Sequence, residues 1–316
     1  MKKIICALLF LSFIKLNSQN KNEGLTFKNL RDETDNKFLN VKIAPWDILL
    51  GSSRMTFAGG LAAKVYLNGI YASIGGDYHY LDNLAAAYGG NLNGTSIYNP
   101  TKSRNIDIFG GYFYTKQTED NNVKVLLSNG AKLNVYAKIK AKYNKAYGFL
   151  VGYKSGFINL YIPDGVNVRD YYVNTTTDIK TGNAMSTYMQ YSWLTLGPSI
   201  AKIYDIEADF DGYGKKTKKE INRYYVNAII AMSQKLEDVY YSENGSKFAN
   251  RYVLDGNVAM SNIGFNVGYE TTRTYGSGTT VCLEAGIMPG AKVGAGKNFY
   301  LNFKWGFIIG KSFVKK

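Results

Sequence analysis

The chain has 316 residues, a formal net charge of +14, and 27 Tyr, 16 Phe and 33 Gly against 5 Pro. This composition favours β-structure, because aromatic side chains suit pleated surfaces and glycine suits tight turns and crowded barrel interiors. One His and 2 Cys exclude a zinc centre, and we expect neither a metal ion nor a cofactor. No run of about 18 apolar residues follows residue 20, so the sequence predicts no transmembrane helix.

The N-terminal residues have the pattern of a secretory signal peptide, which we place at residues 1–18. Lys2 and Lys3 precede the apolar segment 4–14, and a small-residue cleavage site follows. Loss of this segment removes three lysines and lowers the formal charge from +14 to +11. It leaves Cys282 as the remaining cysteine, so we expect an exported chain without an intramolecular disulfide.

Residues 19–38 are polar, have no sustained period, and are predicted to be a flexible periplasmic lead-in. Residues 39–316 are predicted to form one all-β, antiparallel, up-and-down transmembrane β-barrel. The segments Met55–Leu67 and Ile70–Tyr80 alternate between apolar and polar residues, as half-buried strands do. Asn68-Gly69 between them predicts a tight hairpin, because both residues tolerate the positive φ of a type I′ turn.

The segment Ala131–Tyr143 has the strictest alternation, with apolar odd positions and polar or basic even positions apart from Tyr136. It is long enough to cross a bilayer as a tilted strand, which takes about 9–11 residues. A lysine facing the bilayer midplane costs about 2–4 kcal/mol. We therefore expect a barrel strand whose odd face meets lipid and whose even, lysine-rich face meets the lumen.

A second alternating segment carries the opposite charge. The basic stripe comprises Lys132, Lys138, Lys140 and Lys142, and the acidic stripe comprises Asp205, Glu207, Asp209 and Asp211. One hypothesis is that the basic stripe selects anions, as rings of Lys or Arg do in anion pores. The other is that the two stripes pair inside a narrow barrel that side chains fill.

Later segments complete the predicted barrel. A turn is predicted at Leu196-Gly197-Pro198, because proline cannot donate to a central ladder. The segment Gly212 to Thr217 predicts another turn, and alternating segments follow to the end of the chain. The patterns together predict about 12 strands, within a range of about 10–14.

The chain resembles the small outer-membrane β-barrel proteins of Bacteroidota. The resemblance rests on the signal ending Asn-Ser-Gln, the segment from Asn40-Val-Lys-Ile to Leu-Leu-Gly51, glycine-spaced aromatic strands, and the closing segment Tyr300–Phe313. It implies a barrel fold and localisation in the outer membrane of a Gram-negative bacterium. The last strand looks like the aromatic-ended signal read by the outer-membrane assembly machinery; its apolar face comprises Leu301, Phe303, Trp305, Phe307, Ile309 and Phe313.

Three functions remain open at this point. The first is a structural, accessory or small-solute transport barrel in contact with outer-membrane lipid and lipopolysaccharide, with an unidentified envelope protein as a possible partner. The second is a soluble secreted β-sandwich that acts as an adhesin or glycan-binding protein. The third is a barrel lipid hydrolase in which Ser73, Asp77 and His79, predicted to share a polar lumen face, form a catalytic group. We expect a non-enzyme, and a basic exported chain is a poor candidate for nucleic-acid binding.

Overall fold

The computed structural model describes residues 18–20, 25–32, 37–51, 55–81, 103–119, 121–129, 134–162, 185–241, 250–253, 258–273, 276–291 and 298–313. Within these residues the secondary structure is entirely β, and no helix is long and apolar enough to cross a membrane. In chain order the strands are β1 (Ser18–Asn20), β2 (Phe27–Arg31), β3 (Lys37–Gly51), β4 (Met55–Leu67), β5 (Ile70–Leu81), β6 (Arg104–Gln117), β7 (Asn121–Asn129), β8 (Asn134–Ala141), β9 (Asn144–Ile162), β10 (Met185–Phe210), β11 (Gly214–Leu236), β12 (Val239–Tyr241), β13 (Asn250–Tyr252), β14 (Met260–Ser261), β15 (Ile263–Arg273), β16 (Gly276–Ile287), β17 (Gly290–Ala291) and β18 (Phe299–Ser312).

Ten of these strands form a closed barrel. Their order around the barrel is β3, β4, β5, β6, β9, β10, β11, β15, β16 and β18. The ring closes where the last strand, β18, pairs antiparallel with β3 from Phe38 to Gly51. Closure removes the free sheet edges that an open sheet would expose. The predicted all-β antiparallel barrel is therefore confirmed, at the lower end of the predicted strand number.

Local sequence signals account for much of this pairing. Asn68 and Gly69 have φ of 50° and 93°, as the predicted type I′ turn requires, and β4 pairs with β5 directly across this turn. The turn predicted from Gly212 to Thr217 is present but shorter: it covers residues 211–213, with Gly212 and Gly214 at φ of 77° and 65°, and Gly214 to Thr217 already belong to β11. The turn predicted at Leu196-Gly197-Pro198 is wrong. The chain passes through these residues as part of β10 with Pro198 exposed, since the φ of proline is compatible with an extended strand.

The chain divides into two compact units, which we describe separately. The barrel unit comprises residues 36–115, 146–202 and 221–316, and it contains most of the closed sheet. Its polarity is inverted relative to a water-soluble protein. Apolar side chains are exposed on nine of the ten barrel strands, and those of β16 are partly buried. The exposed ones include Val41, Ile43, Leu61, Ile70, Ile74, Ile106, Ile108, Phe149, Val151, Ile200, Val226, Ile263, Phe265, Val267, Phe307 and Ile309. Polar side chains on the opposite face are buried, including Asn40, Lys42, Asp47, Asp77, His79, Asn227, Asn266, Glu270 and Asn302.

The small unit comprises residues 1–35, 116–145 and 203–220. In it β7 and β8 form an antiparallel hairpin, and β1 pairs parallel with β8. The buried core consists of Val123, Val125, Leu127, Ala137, Ile139, Ala141, Tyr143, Tyr204, Ile206, Ala208 and Phe210. The prediction that Ala131–Tyr143 is a barrel strand is wrong, because β8 belongs to this separate three-stranded sheet. Its odd face packs into a protein core instead of meeting lipid.

The predicted lead-in is also partly structured. β2 pairs antiparallel with β10 within the small unit, so residues 27–31 form a strand where a flexible segment was predicted. The predicted signal peptide lies outside the described residues except for Ser18.

A charged cavity inside the barrel

The inward face of the barrel unit encloses a cavity of about 170 Å³. Five cationic and four anionic side chains line it. They are Lys42, Lys64, Lys154, Arg223 and Lys304, with Asp77, Asp107, Glu270 and Glu284. They come from β3, β4, β5, β6, β9, β11, β15, β16 and β18, so almost every barrel strand contributes a charge. The interior of the barrel is therefore a polar, largely ion-paired space.

One group of charges centres on Lys304. Its ammonium donates to Asp47 at 2.8 Å and to Asp77 at 2.5 Å, and both carboxylates are buried. Asp47 lies directly opposite Lys304 in the register of β18 and β3. It faces inward because the register of β3 with β4 shifts between Ala44 and Asp47. Such a bulge changes the phase of alternation by one residue.

A second group centres on Glu270. Its buried carboxylate accepts hydrogen bonds from Lys64 and, at 2.9 Å, from Arg223. The Arg223 guanidinium also lies over the rings of Tyr71 and Tyr225, at 5.5 Å and 5.0 Å from their centroids. Two cations thus share one carboxylate, and aromatic faces stabilise the second cation.

A third group is built on Glu284 and consists of hydrogen bonds from neutral side chains. The hydroxyls of Tyr225 and Tyr300 donate to its carboxylate at 2.8 Å and 2.5 Å. The amide of Asn266 donates to the Tyr300 oxygen at 3.2 Å, and Asn227 donates to Asn266 at 2.8 Å. Shared donors and acceptors of this kind hold a polar interior rigid.

Apolar side chains pack next to the cavity where β9 ends and β10 begins. We call this set the apolar cluster: Ile158, Leu160, Met189, Tyr191, Trp193, Ile229, Val239 and Ala291, all buried. Tyr191 and Trp193 stack with their centroids 3.9 Å apart. Trp193 and Ile229 also line the cavity, so the apolar cluster borders the charged space directly.

All three residues predicted as a polar lumen cluster lie on the inward face of β5. Asp77 and His79 are both buried on the inward face of β5, and Ser73 lines the cavity. Ser73 and His79 are six residues apart on one strand, which places them about 20 Å apart at roughly 3.3 Å per residue. The hydrolase arrangement is therefore wrong, because a nucleophile and its base must lie within hydrogen-bond reach.

The two predicted stripes belong to the small unit and do not line this cavity. Lys138 and Lys140 are exposed on β8 and Lys142 is exposed just after it, whereas Lys132 lies outside the described residues. In the acidic stripe Asp205 is buried and forms an ion pair with Arg31 at 2.7 Å, Glu207 and Asp209 are partly buried, and Asp211 is exposed. The prediction that both stripes line the barrel lumen is wrong, because their strands pack their apolar faces into the core of the small unit.

Comparison with known proteins gives limited further information. No protein-family model matches the chain, and no curated protein matches it. An outer membrane channel from Pseudomonas putida F1 aligns at 9% identity and a TM-score of 0.24, covering 88% of this chain and 97% of that one. The TodX deltaS2S3 mutant, a monoaromatic hydrocarbon channel, aligns at 11% identity and a TM-score of 0.22, covering 89% and 91%. An anion-selective porin from Comamonas acidovorans aligns at 10% identity and a TM-score of 0.18, covering 91% and 100%.

These similarities are too low to carry an argument about function, and the resemblance to barrels of Bacteroidota stays a prediction.

The site is defined by the geometry of the chain itself. Sequence alternation placed Lys64, Asp77, Glu270, Glu284 and Lys304 on the polar faces of their strands, yet it did not single them out as a site. The signal that would have found them is the recurrence of one charge per polar face in successive strands. Lys42 and Asp47 share the inward face across the bulge, and no regular alternation connects them.

Proposed function

We propose that this chain is an integral outer-membrane β-barrel of a Gram-negative bacterium whose narrow, charged interior takes up small polar solutes. The observation that carries the proposal is the inverted polarity of the barrel unit, which has an apolar outward face and a charged inward face. The signal peptide at residues 1–18, insertion through the apolar face of β18, and contact with lipopolysaccharide belong to the same proposal.

The outward face argues for a lipid environment. Soluble monomers rarely expose contiguous apolar patches of more than a few hundred Å². Here Ile74 of β5 and Ile108 of β6 are register partners, and each is at least half exposed. Similar pairs join β18 to β3 and β3 to β4. A lipid-facing apolar band is what barrels in outer membranes present to the bilayer. A soluble β-sandwich adhesin would place these side chains in a core, and the closed barrel contradicts the sandwich fold.

The interior argues for small solutes. In small barrels side chains fill the space between the strands, and in larger ones an aqueous channel remains. The cavity of about 170 Å³ is smaller than the pockets of about 300–1,000 Å³ that bind drug-sized molecules. The apolar cluster packs beside it, and Trp193 and Ile229 of this cluster line the cavity. These dimensions favour ions or small polar molecules over sugars or peptides.

Fractionation and bilayer recording test the proposal together. We expect the folded protein to stay with membranes after carbonate extraction and to migrate differently on gels before and after heating. Refolded protein in planar bilayers should give small, discrete conductance steps. Recovery in the carbonate-soluble fraction would refute the membrane assignment.

A purely structural barrel is the second candidate, and the ion-paired interior favours it. A membrane-inserted, heat-modifiable protein with a flat bilayer trace would select this candidate over solute passage.

A further inference from the structure

We infer that the barrel interior holds a binding site for a small oxyanion, a carboxylate or inorganic phosphate, centred on Lys42. This inference rests on the proposed function and names the class of solute that the interior prefers. It arises from the unequal distribution of charges within the cavity.

The first observation is the environment of Lys42 itself. Its side chain lies on the inward face of β3, is 6% exposed, and lines the cavity. In the part of the chain that the structure describes, no hydrogen bond or ion pair engages its ammonium, although Lys304 and Lys64 both have carboxylate partners. A buried ammonium without a hydrogen-bonded partner is costly, because the group has lost its hydrating water and gained no direct acceptor.

The second observation is a local excess of positive charge. Lys42 lies within electrostatic range of both Lys64 and Glu270. Lys64 and Arg223 already share the carboxylate of Glu270, so three cations face one anion. Around Glu270 the cations therefore outnumber the anions, and the local field beside Lys42 attracts anions.

The third observation is the set of neutral groups near these charges. Glu284 is engaged by the hydroxyls of Tyr225 and Tyr300, so it accepts from neutral donors on the same cavity wall. The Asn302 side chain also lines the cavity and supplies a polar group. A small oxyanion that accepts hydrogen bonds from Lys42 would supply the missing negative charge and leave the existing ion pairs in place.

Iodide quenching of tryptophan fluorescence tests the site without requiring conduction. The chain has 3 Trp, and Trp193 lines the cavity whereas Trp46 is exposed on the outward face. In a background carrying Trp46→Phe and Trp305→Phe, iodide should quench Trp193 more strongly than neutral acrylamide does. Sodium phosphate or acetate, added separately, should relieve the iodide quenching at constant ionic strength. The stronger competitor identifies which oxyanion the site prefers.

Substitutions assign the effect to Lys42. Lys42→Met should reduce the iodide quenching constant by about fivefold, because one unit charge near the site is lost, and should abolish relief by phosphate. Lys42→Arg should retain both effects. The matched control is Lys311→Met, which removes the same charge from the exposed end of β18. Each variant is first checked for the heat-dependent gel shift of the folded barrel.

Equal iodide quenching in Lys42→Met and the control would overturn the inference. Iodide quenching that neither phosphate nor acetate relieves in the Trp46→Phe, Trp305→Phe background with Lys42 intact would overturn it as well, even if Lys42→Met failed to fold. These outcomes differ from failure of the proposed function, which is read from membrane extraction. A membrane-inserted barrel with no anion effect therefore refutes this inference alone.

Discussion

At the residue scale, Lys304 joins two carboxylates from different strands in the barrel interior. Its ammonium bridges Asp47 of β3 and Asp77 of β5, and both carboxylates are nearly inaccessible. The register of β18 opposite β3 places Lys304 and Asp47 side by side. A single cation therefore compensates two buried anions on two other strands.

Lys304→Met should destabilise the folded barrel by about 3–5 kcal/mol, because it leaves two buried carboxylates without their cation. The measurement is the urea midpoint of refolding and unfolding in detergent or lipid vesicles. Lys311→Met on the same strand is the control and should change stability by less than about 0.5 kcal/mol, as exposed substitutions do. A Lys304→Met variant as stable as the control would show that these charges are not coupled.

At the element scale, the sequence predicted strand pairing where adjacent residues determine it, as in a tight hairpin. It did not predict which face of a strand is inward after a bulge, or whether a strand faces lipid or a protein core. The Asn68-Gly69 hairpin follows from the φ preference of two residues, so it could be predicted. The bulge near Asp47 changes the inward set of β3 and has no composition that identifies it. For β8, alternation shows two faces and cannot tell lipid and lumen from protein core and water. The lumen charges were visible as polar faces, but their pairing depends on register between strands far apart in sequence.

Because β8 packs one face into the core of the small unit, neighbouring positions on it should differ in their accessibility to a thiol reagent. Lys138 is exposed and Ile139 is 1% exposed in the core of the small unit. In a Cys282→Ala background, Lys138→Cys should react with a membrane-impermeant maleimide at least about tenfold faster than Ile139→Cys, since the buried position must open first. The control is a lipid-soluble maleimide, which should give the same ratio of labelling rates for Lys138→Cys and Ile139→Cys. Fast labelling of Ile139→Cys by the lipid-soluble reagent alone would show instead that β8 is a barrel strand whose odd face meets lipid.

The apolar cluster borders the cavity, so a smaller side chain in it should change conduction through the barrel. Trp193→Ala removes the largest ring beside the cavity and should cost about 3–5 kcal/mol of stability as a buried large-to-small substitution. In planar bilayers the same variant should have a higher single-channel conductance than the wild-type protein, because the narrow part of the interior is widened. Trp46→Ala is the control, since its ring lies on the outward face. An unchanged conductance in folded Trp193→Ala would locate the constriction elsewhere.

At the scale of the whole molecule, the closed sheet and its inverted polarity agree with each other. Among the described residues, the ten barrel strands close into a ring, so their backbone groups in the bilayer would have partners. The outward face has the apolar side chains and the inward face has the charges. The barrel class followed from alternation that recurs over many segments, because each segment independently indicates one apolar and one polar face. The number of barrel strands did not follow, because β7 and β8 of the small unit alternate in the same way as barrel strands.

A lysine scan along β5 distinguishes lipid from water as the solvent of the outward face. Ile70 and Ile74 are both exposed, but Ile70 follows the hairpin turn and Ile74 lies further along the strand. In phospholipid vesicles Ile74→Lys should cost about 2–4 kcal/mol and Ile70→Lys about 0–1 kcal/mol, because the cost of a lysine falls from the midplane to the interface. In water both substitutions would cost less than about 0.5 kcal/mol, as exposed substitutions do. Urea unfolding in vesicles measures the difference, and equal, near-zero costs at the two positions would contradict a membrane-spanning barrel.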